Sequence, residues 1–367
     1  MQSKIKDKII VFGFCIILAI VFIANILIKD QQISITERRK LEQFPEITVD
    51  KVLSGDTSEE FEEYAIDQFV GRDFFRSLKS FFNINVLQYK DNNKLFIKDN
   101  GIYKIEYPLN EENVKKSANK INDIYKTYLK GMDTYYAIIP DKNYYLSSEE
   151  YLKMDYEQLR NIMKDTVTDI QYIDIWDSLT LEDYYRTDTH WKQENLGKVV
   201  EKIQKEMGVS EISKNIEAEY EIDEKGDFYG VYYGQLGLNI EPDKISILTN
   251  KTIENCTTYN FETKKTGKIY DEEKFAKSAD KYDIYLSGAT YLMTIENPNA
   301  NTDKELILFR DSYGSSTAPL LIENYRKITL VDVRYISSKL LGDYIEFENQ
   351  DVLFLYSSLV LNQNILK

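Results

Sequence analysis

The chain has 367 residues, 43% of them hydrophobic and 13% aromatic, with 29 tyrosines, one histidine and a formal net charge of −15. That length and apolar share suit one large domain or two small ones with appendages, and exclude a disordered chain. The acidic balance argues against nucleic acid, whose phosphates need clustered Lys and Arg, and points instead to a neutral or polyol partner.

Cys15 and Cys256 are the only cysteines, and the first lies inside an apolar run, so no disulfide joins them. One histidine and one accessible cysteine leave only carboxylates as further ligands, which argues against a metal site; no cofactor is expected.

From Ile9 to Ile28 the sequence "IIVFGFCIILAIVFIANILI" is apolar except for Asn25. About twenty such residues make a helix long enough to cross a bilayer. Lys4, Lys6 and Lys8 precede it, which by the positive-inside rule leaves the N-terminus in the cytoplasm and everything after Ile28 outside. A cleaved signal peptide is the rival reading, but the run is long for one and lacks a clear small-x-small cleavage site. The stretch "TERRKLEQFPEITVD" then reads as a juxtamembrane connector closed by Pro45. In the next segment Thr57 and Glu60 stand in capping-box register, and Phe61, Ala65 and Phe69 share a helical face. The organisation expected is thus a tail and anchor over 1–28, a connector and helical arm over 29–94, and a catalytic domain over 95–367.

Beyond Leu95, strand-like runs appear at "TYYAIIP", "IQYIDIW", "LILF", "ITLVDV" and "DVLFLY", separated by longer segments, several of helical period. One of these is "WKQENLGKVVEKIQKEMGV", where Leu196, Val200, Ile203 and Met207 share a face and Gly208 ends the helix. Near-continuous apolar strands alternating with helices predict an α/β fold, a mostly parallel sheet covered by helices on both faces. Ligands of such sheets bind beyond the carboxyl ends of the strands.

Those ends carry the candidate chemistry. "LILF" runs into "RDSYGSS", placing Ser312 in a turn between a strand and a helix. There it is either a helix-capping serine or an exposed nucleophile with backbone N–H groups nearby. Asp188 and His190 precede the Leu196 helix, as an N-cap and a surface residue or as a base and its carboxylate partner. In an extended segment positions i and i+2 project to one side, so Asp188 could hold one ring nitrogen and leave the other facing a hydroxyl. Trp191 either packs under His190 or fills the core.

The stretch "RTDTHW" resembles the Asp-x-His-Trp signature of the DHHW family, relatives of the alginate O-acetyltransferases with SGNH-hydrolase-like domains. "ITERRKLEQFP" and "EEYAIDQFVGRDFF" resemble its juxtamembrane segments, "IIPDKNYYL" a strand before the first active-site loop, "DKYDIYLSGAT" a middle segment and "LILFRDSYGSS" the serine block. The resemblance implies an SGNH-hydrolase-like (flavodoxin-like) domain with Ser312 as nucleophile, His190 as base and Asp188 as its orienting partner. The sequence departs from the signature at Thr189. The His block also precedes the serine, as in the alginate relatives and unlike ordinary SGNH enzymes. Oxyanion or substrate candidates are the backbone at Ser312 and Tyr313, Gly288 for close approach, and the Asn143 amide. Arg310 and Arg334, each following a strand, are salt-bridge residues or substrate clamps.

The function so implied is an extracytoplasmic, membrane-anchored O-acetyltransferase acting on a polysaccharide. Its acetyl group would come across the bilayer from a membrane-bound O-acyltransferase partner. A carbohydrate acetylesterase with the same triad and a non-catalytic glycan-binding or scaffold protein are the alternatives.

Overall fold

A computed structural model describes residues 2–147, 150–209 and 220–367. It divides into two compact units, Met1–Asn93 with Gly234–Asn239, and Lys94–Tyr233 with Ile240–Lys367.

The first unit holds helices α1 (Gln2–Leu27), α2 (Val49–Ser54), α3 (Asp56–Asp67) and α4 (Arg72–Phe81), the last prolonged by a π turn over Phe82–Val86. Over Ile5–Leu27, α1 is long and apolar enough to cross a membrane. The capping box expected at Thr57 does not form. Gly55, in a left-handed conformation at φ 90°, reverses the chain between α2 and α3, which puts Thr57 already inside the helix. Glu60 instead pairs with Lys51 at 2.7 Å. Phe61, Ala65 and Phe69 are exposed rather than buried.

The second unit begins with the hairpin β1 (Leu95–Lys98) and β2 (Gly101–Lys104). Then come α5 (Glu111–Ile124), β3 (Thr134–Ile139), α6 (Tyr156–Thr166), β4 (Gln171–Ile173) and α7 (Gly197–Glu206). An antiparallel pair, β5 (Glu221–Phe228) and β6 (Asp243–Thr249), stands apart from the main sheet. The chain continues through β7 (Thr257–Asn260), β8 (Lys265–Gly267), β9 (Leu292–Glu296) and β10 (Glu305–Arg310). Helix α8 (Tyr313–Leu321), β11 (Lys327–Val331), β12 (Asp351–Ser357) and α9 (Ser358–Gln363) complete it.

The eight-stranded sheet has the order β8-β7-β9-β11-β10-β12-β3-β4. The five apolar runs read from sequence are the five parallel strands. All seven residues of β12 are buried, which requires cover on both faces. Helix α5 packs with α6 and α9, and α7 with α8. Beyond β11 the sheet turns antiparallel through β9, β7 and β8. Those edge strands escape a search for apolar runs because "TTYN" and "KTG" are short and polar.

Counted along the chain, the parallel strands lie in the order 2-1-5-3-4, which is not the flavodoxin order 2-1-3-4-5. Counting instead from β10, the strand that leads to Ser312, gives 2-1-3-4-5. Along the chain itself the His block, before β10, comes ahead of the serine.

Candidate active site

Ser312 follows β10 and immediately precedes α8, with helical dihedrals (φ −62°, ψ −26°) and no capping hydrogen bond from its side chain. The capping reading therefore fails. Its Oγ lies 2.7 Å from His190 Nε2, and on the other side of the ring Nδ1 lies 2.6 Å from Asp188 Oδ1. Residues 122 positions apart are joined by one hydrogen-bonded chain. Asp188 is fully buried, His190 is 9% exposed, and Ser312 is half-buried. Such an arrangement can pass a proton from the hydroxyl to the imidazole while a carboxylate fixes the ring's tautomer.

The turn carrying Ser312 is held by Asp311, which is buried. Its Oδ1 accepts the Tyr313 N–H at 3.0 Å and its Oδ2 the Ser357 N–H at 2.8 Å, tying the start of α8 to the end of β12. Gly314 is required here, since a Cβ would fall 2.5 Å from that of Arg310.

The loop carrying Asp188 and His190 is closed by a bridge between Tyr184 and Trp191 and by the Tyr185 N–H to the His190 carbonyl. Asp188 does not cap a helix: α7 starts only at Gly197, after a 3₁₀ turn over Gln193–Asn195. Asp188 Oδ1 also accepts the His190 N–H at 3.0 Å, and Oδ2 the Val231 N–H at 2.7 Å. Asp243 takes the N–H groups of Arg186 and Thr187 and the Thr187 hydroxyl. Lys142 donates to the carbonyls of Tyr185 and Arg186, each at 3.0 Å. Thr189, where the signature differs, accepts the Tyr313 hydroxyl on its carbonyl at 2.7 Å, so the departure leaves a backbone link to α8 in place.

Tyr282, rather than Trp191, covers the imidazole: the two rings stack with centroids 4.0 Å apart at 13°. Trp191 is fully buried edge-on to Tyr313 and donates Nε1–H to Ser316 Oγ at 2.9 Å, so it serves the core under α8. The Tyr282 hydroxyl also bonds Ser316 Oγ, at 2.8 Å. Burial pushes the Tyr282 and Tyr313 phenols well above their ordinary range, keeping both neutral.

The other expected residues divide. The Tyr313 N–H is committed to Asp311, so it is not an oxyanion donor. Gly288 donates to the Tyr285 carbonyl at 3.2 Å and is a glycine because a Cβ would meet Asp283 Oδ1 at 2.3 Å; it too is excluded. Among the described residues the Ser312 N–H has no acceptor. Asn143 spends one amide proton on the Lys104 carbonyl at 2.5 Å, and the other has no partner among the described residues. Arg310 is 1% exposed and bonds Ser315 Oγ, and burial lowers its pKa, so it is a support beneath the turn and not a substrate clamp. Arg334 is bound bidentately by Asp332 at 2.8 and 2.6 Å, which is the salt-bridge reading.

Lys142 and Asp141 escaped the sequence reading. Both are buried; desolvation brings the Lys142 pKa down to about 7 and the Asp141 pKa up to about 6. No group of His, Cys, Asp and Glu able to hold a metal occurs among the described residues. A cavity of about 880 Å³, lined by Glu305, Lys327 and Tyr344 among others, opens beside the first residues of β10 and β11 and shares no residue with the Ser312 site.

No family model and no curated protein matches the chain. Among solved structures it is similar to a DHHW family protein from Eubacterium siraeum, at 19% identity and TM-score 0.61, over 75% of this chain and 95% of that one. It is also similar to Bacillus cereus PatB1, at 18% identity and TM-score 0.61 over 75% and 99% of the two chains. A second structure of PatB1, bearing a sulfonyl adduct, matches at 20% identity and TM-score 0.59 over 74% and 97%. The likeness is one of fold.

Proposed function

We propose that the chain is a membrane-anchored, extracytoplasmic O-acetyltransferase that acetylates a polysaccharide through an acetyl-serine at Ser312. The observation that carries this reading is His190 held between Ser312 Oγ at 2.7 Å and Asp188 Oδ1 at 2.6 Å. Ser312 Oγ attacks the acetyl carbonyl carbon and gives its proton to His190 Nε2. The tetrahedral intermediate collapses, the donor's leaving group takes that proton, and the acetyl group stays on Ser312. A sugar hydroxyl then loses its proton to Nε2 and attacks the acetyl-serine, and the returning proton restores Ser312. The Ser312 N–H supplies a donor to the developing oxyanion. Acetyl-CoA is cytoplasmic, so a membrane-bound O-acyltransferase is the partner that would deliver acetyl groups to this side.

The test uses the full chain in detergent with p-nitrophenyl acetate and a neutral oligosaccharide. Peptide mass spectrometry should find one acetyl group on Ser312, and acetylated sugar should accumulate. Acetate alone, with labelled Ser312, would identify an acetylesterase. No label on Ser312, by the ester or by a sulfonyl fluoride, would leave the non-catalytic glycan-binding reading.

A further inference from the structure

Helix α4 and its π-turn extension are built inside out. Phe74, Phe75, Leu78, Phe81, Phe82 and Val86 recur at helical spacing and all face outward, with Phe74 65% and Phe75 53% exposed. The polar face is the one turned in. Arg76 donates to the carbonyls of Gly234 and Gln235, and Ser80, 2% exposed, to that of Leu236. Asn83 donates to Asn92 Oδ1, and Asn92 to Ser80 Oγ. These bonds fix the rotation of the helix, so the apolar stripe cannot roll inward without breaking them. A stripe of this size left in water is an interaction surface.

Its place in the fold says what covers it. Asn25, the one polar residue of the apolar run, donates to the Val21 carbonyl and accepts the Val70 N–H at 3.0 Å. Val70 is two residues before α4, and Asn25 is two residues before the end of the Ile5–Leu27 span. The start of α4 is thereby pinned to the last turn of α1, the level at which a spanning helix passes from hydrocarbon to headgroups. The arginines of this segment are spent inside the protein: Arg72 and Arg76 pair with Glu37 at 2.6 and 3.2 Å, which leaves the phenylalanine face as the part of the helix open to a membrane. An outward apolar face rich in phenylalanine, held at that level, is the face an amphipathic helix buries in a membrane interface.

We propose that the segment Arg72–Val86 lies in the bilayer surface as a foot, its phenylalanine face in the acyl boundary and its inward polar face held by the protein. This rests on α1 being an uncleaved membrane span. The foot gives the tether a second attachment, so that the first unit is held at a fixed height on the membrane instead of swinging on a single helix.

The test places a tryptophan at three positions of the full chain in liposomes of phosphatidylcholine and phosphatidylglycerol. Brominated phosphatidylcholine serves as the quencher, and the wild type, with buried Trp176 and Trp191, sets the background. Phe75→Trp and Phe82→Trp should each lose about half or more of their added emission, most with bromines near the headgroup. Phe22→Trp in α1 reports the span. If Phe22→Trp is quenched and the two α4 variants are not, another protein or water covers the face and the foot is overturned. If none of the three is quenched, the span and the foot fall together, and the reading of Ser312 is untouched.

Discussion

Gly230 lies so close to Thr187 that a Cβ on it would fall 2.2 Å from the Thr187 carbonyl oxygen and 2.5 Å from Asp188 Cβ. The same contact lets the Gly230 N–H reach Thr187 Oγ1 at 3.0 Å and the Val231 N–H reach Asp188 Oδ2. The obstruction is backbone, so a larger residue must displace the loop that carries Asp188 and His190. Gly230→Ala is expected to lower stability by about 1–3 kcal/mol. Turnover of a small acetyl ester should fall by about 10²-fold, since catalysis is sensitive to misplacement on the order of 1 Å. Wild-type turnover in the variant would show that the loop's depth is not what positions the imidazole.

Ser312→Ala should abolish acetyl transfer with little cost to the fold. Its hydroxyl caps nothing, and its bond is to His190 Nε2. Loss of one such bond costs about 0.5–1.5 kcal/mol. Thermal unfolding and acetyl-ester hydrolysis, measured on the same preparation, separate the two effects; a stable variant that still forms an acetyl-enzyme would rule out the covalent route.

Asp188→Asn discriminates an orienting carboxylate from a merely structural one. Both Asp188 oxygens are in use, one on His190 and one on the Val231 N–H, and asparagine offers a single oxygen. One acceptor is lost, and the ring is free to take the wrong tautomer. A fall of about 10³- to 10⁴-fold in maximal rate is expected, at a stability cost of about 1–3 kcal/mol. A rate within a few fold of wild type would remove Asp188 from the mechanism.

The geometry of the candidate site was legible where it is local and opaque where it is not. The i, i+2 spacing of Asp188 and His190, and Ser312 at a strand end, follow from short-range rules. The five parallel strands were readable because burial on both faces makes them continuously apolar. Tyr282 over the imidazole, Asp243 under Thr187 and Gly230 against Asp188 come from segments 40 to 92 residues away from the loop they support; the stretch "DKYDIYLSGAT" drew notice as a segment, but nothing in it points to Tyr282 as the ring over His190, and nothing near Asp243 or Gly230 marks either. Asp311 did stand beside Ser312, yet its role depends on the Ser357 N–H, which only the β10–β12 pairing brings there. The start of α7 was misplaced for a similar reason. Gln193 looked helical, but its side chain is spent on the Leu248 N–H and the Ser316 carbonyl, and the regular helix waits until Gly197.

Lys142 makes a prediction about stability that runs against the usual expectation for a lysine. It is 3% exposed, donates to the Tyr185 and Arg186 carbonyls, and lies 4.8 and 5.1 Å from the ring centroids of Tyr103 and Tyr232. Desolvation lowers its pKa from 10.5 to about 7, against the opposing pull of Asp188, Asp243 and Asp141. Between those two pH values the unfolded chain holds a proton on this residue that the folded chain has released. Stability contributed by Lys142 therefore rises with pH across that window, at up to about 1.4 kcal/mol per pH unit, and the burial cost is largest below pH 7. Lys142→Met removes the titration while keeping much of the apolar stem. Urea unfolding of both proteins at pH about 7.5 and about 9.5 gives the comparison, with tyrosines and Cys256 titrating alike in each. The wild type should gain stability relative to Lys142→Met on going to the higher pH. Parallel curves for the two proteins would mean that Lys142 keeps its proton inside the fold, as a cation paired to the carboxylates around the Asp188 loop.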